Sequence, residues 1–76
     1  MNKLRRKALD QIADRLNELY EELESLRDEE QDYMDNMPEN LQGSERYEAA
    51  ENAVSNMDDA LNSLGDAISS IEEATA

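Results

Sequence analysis

The sequence predicts an all-α protein, an antiparallel two-helix hairpin of coiled-coil type that dimerises into a four-helix bundle. Three observations carry that reading. Apolar residues recur at alternating spacings of three and four through two long segments. The only proline and one of the two glycines fall together in the short joint between those segments. Each apolar stripe is also wider than a two-helix seam requires, which leaves surface for further helices.

The first segment steps through Leu9, Ile12, Leu16, Leu19, Leu23 and Leu26 without a slip, and the phase continues through Glu30, Tyr33 and Met37. These are the a and d positions of a heptad seam, interrupted by one charge at Glu30. A neighbouring column holds Ala13, Tyr20 and Met34. A helix over about residues 3–36 follows, ending there because Pro38 disfavours helical backbone at Met37 and has no N–H for the next bond. The joint, about residues 37–44, carries one large apolar side chain, Leu41, expected to fold back over the hairpin end. Ser44 is placed to cap the second helix through its hydroxyl, and Glu45 puts a negative charge where it suits the helix dipole.

The second segment, about residues 45–74, repeats the pattern with Tyr47, Ala50, Val54, Met57, Leu61, Leu64, Ile68 and Ile71. Beside them runs a column of alanines seven apart, Ala53, Ala60, Ala67 and Ala74. Small side chains every second turn let another helix come close, and alanine has the best helix propensity. Gly65 lies off the seam and costs up to about 1 kcal/mol relative to alanine.

A short connection makes the helices antiparallel neighbours in a single domain. Pairing a with d positions sets Leu26 beside Val54, Leu19 beside Leu61 and Ile12 beside Ile68, with a shift of one heptad as the competing register. At this length a single core rarely supplies more than about 3–5 kcal/mol. Ala13, Tyr20 and Met34, with Ala53, Ala60 and Ala67, therefore form the face expected to meet a second copy or a helix of another protein.

The charge is lopsided: 20 acids stand against 7 Lys and Arg, for a net charge of −13, and His, Cys, Trp and Phe are absent. Direct nucleic-acid binding is disfavoured, because neutralising phosphates requires Lys and Arg. The absence of cysteine rules out a disulfide framework and a thiolate metal site. Four cations, Lys3, Arg5, Arg6 and Lys7, crowd the first seven residues, and antiparallel folding is expected to bring them beside Glu72 and Glu73. From Glu18 to Glu39, ten acids meet a single Arg, and Glu18, Glu21, Glu22, Asp28, Glu29, Asp32 and Asp35 fall opposite the seam. Carboxylates three or four residues apart are separated by about 4.5–6 Å along a helix. That spacing resembles the phosphates of a nucleic-acid strand, so these seven residues are the candidate docking face for a basic protein.

Other chemistry is weakly represented. Behind MNKLRRKALDQI there is no apolar run of signal-peptide type, and no stretch approaches the roughly 18 apolar residues of a membrane span. The chain is accordingly read as cytoplasmic, with no membrane partner. The stretch Asp28–Glu39 places oxygen side chains at several positions of a calcium-loop template, but Tyr33 stands where the tight turn needs glycine. No metal is expected there. With no His or Cys, no phosphate-cradling glycine loop and little concave volume, catalytic residues, a cofactor and a small-molecule substrate are not expected either.

The central stretch EEQDYMDNMPENLQGSERYEAAENAV, with its joint NMPENLQGSERYE between two acidic helices, resembles small uncharacterised helical-hairpin proteins of Gram-positive bacteria and their phages. The resemblance implies no activity and assigns no functional residues. It does imply a phage or mobile-element setting, in which small acidic proteins often inhibit DNA-binding machinery. The leading expectation is a non-enzymatic interaction protein whose acidic face binds a basic protein surface, as a nucleic-acid mimic. The alternative is a structural or assembly module that self-associates or recruits a partner helix through its apolar stripe.

Overall fold

In the computed structural model, which describes residues 1–76 throughout, two long helices form a hairpin: α1 over Lys3–Asp35 and α2 over Glu45–Thr75. A single 3-10 turn, Glu39–Leu41, lies between them. Asn2 caps α1, its side-chain oxygen accepting from the backbone N–H of Arg5 at 2.7 Å. That oxygen satisfies one of the donors a helix start leaves unpaired. At the other end Asn36 is the cap, and Pro38 follows two residues later in extended backbone.

The joint is closed by its own backbone. Leu41 donates to Pro38, Gln42 to Glu39 and Ser44 to Leu41. Gly43 has φ of 95°, a left-handed conformation that glycine adopts without steric cost. Ser44 then starts α2 with its hydroxyl accepting from the Tyr47 N–H, and Glu45 and Glu48 lie in the first turn. Leu41 sits with Tyr33, Met37, Pro38 and Arg46 at the hairpin end, but remains 42% exposed. It covers that end only in part.

The α2 seam falls where its heptads place it. Ala50, Val54, Leu61 and Ile68 are buried, and Tyr47, Met57, Leu64 and Ile71 are half-buried. On α1 the seam is rotated by one position from the expected one. Leu9, Leu16, Leu23, Glu30 and Met37 keep their place, but the second column is Ala13, Tyr20, Arg27 and Met34. Ala13 and Met34 are buried, and Tyr20 and Arg27 half-buried. The column expected in that role, Ile12, Leu19, Leu26 and Tyr33, stays 47, 52, 57 and 45% exposed. Hence Ala13 and Met34, expected to face a second molecule, are spent inside the hairpin, and Tyr20, expected with them, lies half-buried at the groove between the helices.

The rotated seam brings Arg27 to Asp58. Its guanidinium donates to Asp58 through Nε at 2.8 Å, and through the second terminal nitrogen to the other carboxylate oxygen at 3.4 Å. A forked pair of this kind holds two helices at one rotation as well as one height. Tyr20 and Leu61 line the same groove as that pair, one residue away from the expected Leu19–Leu61 level. The hairpin is a rod of 59 × 15 × 13 Å with only seven buried residues, all of them apolar. No helix is long and apolar enough to cross a membrane.

Candidate functional site

The Arg27–Asp58 pair divides the hairpin into two sides. Successive residues on an α-helix are about 100° apart, so Leu26 and Met57, each one residue earlier, turn away from that pair. Because the helices are antiparallel and both right-handed, they turn toward the same side. The heptad repeat extends the point along the rod. Ile12, Leu19, Leu26 and Tyr33 of α1 share one side with Met57, Leu64, Ile71 and the alanines of α2.

That side is apolar on α1 and free of charge on α2. Between Ala49 and Ala74, the α2 positions turned toward it are alanine, serine, asparagine, methionine, leucine or isoleucine. All six charged residues of that interval, Glu51, Asp58, Asp59, Asp66, Glu72 and Glu73, lie elsewhere on the helix. Of the alanines expected to meet another helix, Ala60 and Ala67 are exposed and Ala53 is half-buried. On α1 the stripe opens a shallow groove at Ile12, Leu16 and Leu19, with Arg15 at its rim.

The opposite side is polar. Tyr20, Glu24, Arg27, Asp28, Asp58 and Asn62 line an open groove floored by Leu61. The hydrogen bond to Asp58 pushes the Arg27 pKa up from its ordinary value, outweighing the opposing effect of desolvation, and the attraction of Asp58 and the contact with Asp28 add to it. The arginine therefore stays charged, and a nearby salt-bridge contact reaches Asp28 at 3.4 Å.

The third surface is the back of α1. Glu18, Glu21, Glu22, Asp28, Glu29, Asp32 and Asp35 are all exposed and spread over the side turned away from α2. Of the seven, only Asp28 has a cation within 4 Å. The amino-terminal cluster Lys3, Arg5, Arg6 and Lys7 makes no ion pair within that distance, so the expected pairing with Glu72 and Glu73 does not form in the hairpin. Helical backbone runs unbroken to Asp35 through most of the calcium-loop-like stretch, and no three carboxylates converge as a metal site would require.

Sequence reasoning missed two things here, the rotated seam of α1 and the Arg27–Asp58 pair that accompanies it. One signal pointed to both: Arg27 is the sole cation within a run of ten acids. No protein-family model, curated protein or solved structure matches the chain.

Proposed function

We propose that this is a non-enzymatic, cytoplasmic interaction module that pairs with other helices through the uncharged side of its hairpin, in coiled-coil fashion. One observation carries the reading. Four large apolar residues at heptad spacing, Ile12, Leu19, Leu26 and Tyr33, stand about half exposed beside an α2 surface without a charge. Contiguous apolar surface of this extent marks an interaction site on a small protein. Capture from the native host by the wild-type chain, compared with a Leu19→Glu, Leu26→Glu double variant, tests it. The reading predicts that retained protein disappears with the variant while helicity is kept; unchanged retention refutes it.

A second reading rests on the back of α1. Its exposed carboxylates, nearly all without a cation, form a field that attracts a basic protein surface, as a nucleic-acid mimic in a phage or mobile-element setting does. Salt separates the two. Binding through the carboxylates weakens steeply as salt is added, whereas binding through the uncharged side does not.

A further inference from the structure

We infer that the occupant of the uncharged side is a second copy of this chain, related by a two-fold axis parallel to the helices, so that α1 of each copy lies over α2 of the other. The inference rests on the first reading above and names its partner.

Area is the first argument. A folded monomer of 8.7 kDa is expected to expose about 4,700 Å². The hairpin exposes 5750 Å², an excess of roughly 1,000 Å² on that scaling. Its broad side, 59 × 15 Å, covers about 900 Å² in projection, or roughly 1,800 Å² for a pair, comparable in scale to stable specific interfaces. Covering that side once brings each copy to the surface expected of a compact protein.

Complementarity of size is the second. A two-fold contact must be self-matching, with residue i meeting j and j meeting i. Here the exposed large side chains stand on α1 and the alanines on α2, both seven residues apart, with Met57, Leu64 and Ile71 half-buried behind the alanines. An axis parallel to the helices preserves height along the rod, so α1 of one copy meets α2 of the other at the register within the hairpin. Tyr20 shares its groove with Leu61. At that register Leu19 falls between Ala60 and Ala67 of the second copy, Leu26 between Ala53 and Ala60, and Ile12 between Ala67 and Ala74. Each knob meets a hole with alanine walls. The alternative axis, across the rod, would set leucine against leucine and alanine against alanine and leave a wedge-shaped gap.

Charge is the third. A chain of net charge −13 can approach its own copy only over a face that carries little charge, and the α2 half of this side carries none between Ala49 and Ala74.

Sedimentation of the pure protein and site-directed cross-linking test this together. The chain has no cysteine, so Leu19→Cys and Ala60→Cys variants each carry one thiol. The expected mass is twice 8.7 kDa, falling to the single-chain value in Leu19→Glu, whose circular dichroism stays helical. A short bismaleimide should couple Leu19→Cys to Ala60→Cys when the two are mixed, and neither variant to itself. Self-coupling of each variant without mixed coupling overturns the arrangement. A single-chain mass at the highest soluble concentration overturns the dimer, and if host capture still depends on Leu19 and Leu26, the broader reading survives that result. A dimer that Leu19→Glu leaves intact removes the inference.

Discussion

The two sides of this hairpin are built from neighbouring columns of the same two helices and have opposite chemistry. On one, Arg27 and Asp58 join α1 to α2 across a groove lined with polar side chains. On the other, one residue earlier on each helix, Leu26 and Met57 begin a surface without an interhelical ion pair and, on α2, without a charge. A rotation of about 100° thus separates a fastened side from an open one. The forked ion pair marks the fastened side, and the apolar column of α1 that is left over lies one residue earlier.

Substitutions can break that contrast in order of size. Leu61→Ala strikes the seam shared by both sides, where Leu61 is buried. Its expected cost of about 2–5 kcal/mol rivals the whole stability of a core this small, about 3–5 kcal/mol. Thermal melts should show most of the helicity lost near room temperature. Ala60→Glu places a charge on the exposed open side and should leave the dilute hairpin's melting within about 0.5 kcal/mol of wild type, while abolishing self-association in sedimentation. Gly65→Ala probes the fastened side, since Gly65 follows Asp58 by one heptad. A methyl there meets nothing within 4 Å, so the variant should be stabilised by up to about 1 kcal/mol, with no change in mass. Arg27→Met should have the smallest effect on melting, because its partner carboxylate is nearly half exposed and such pairs contribute little. It should also steepen the rise of the melting temperature with added salt, because the net charge becomes −14 and the one attraction between the helices that salt weakens is gone.

Salt sharpens the contrast in another way. Two copies of charge −13 repel each other, so association through the open side should strengthen as salt is added. Capture of a basic protein by the carboxylates of α1 should weaken over the same range. Opposite slopes in one titration would assign each event to its surface.

Most of the architecture was legible in the sequence because helical periodicity, a proline and a capping serine are local signals. Pro38 and Ser44 bracket the joint, and α2 buries the face its heptads mark. The rotation of α1 was not legible from apolar pattern alone. Its column Ile12, Leu19, Leu26 and Tyr33 is unbroken, whereas the column actually buried is interrupted by Arg27, and an unbroken column looks like the seam. The residue that interrupts it pairs with a carboxylate 31 residues away, and pattern within one helix carries no information about that partner. The open side was half legible for the same reason: Ala53, Ala60 and Ala67 stand out in the sequence as a stripe of small residues beside the seam, but their large counterparts on α1 look like part of the seam itself.

The closed joint also bears on how the molecule assembles. Its backbone bonds, with Gly43 and the Ser44 cap, close the chain so that Met37 and Arg46 line one groove across a gap of eight residues. Every later contact up the rod spans a longer stretch of chain, from 31 residues at Arg27–Asp58 to more than 60 at the termini. Closing a short loop costs less entropy than closing a long one, and the barrier to folding grows with such separation. The hairpin should therefore zip from the turn outward, with its termini the last to join and the first to fray. Amide exchange should fall along both helices from their free ends toward the Arg27–Asp58 level.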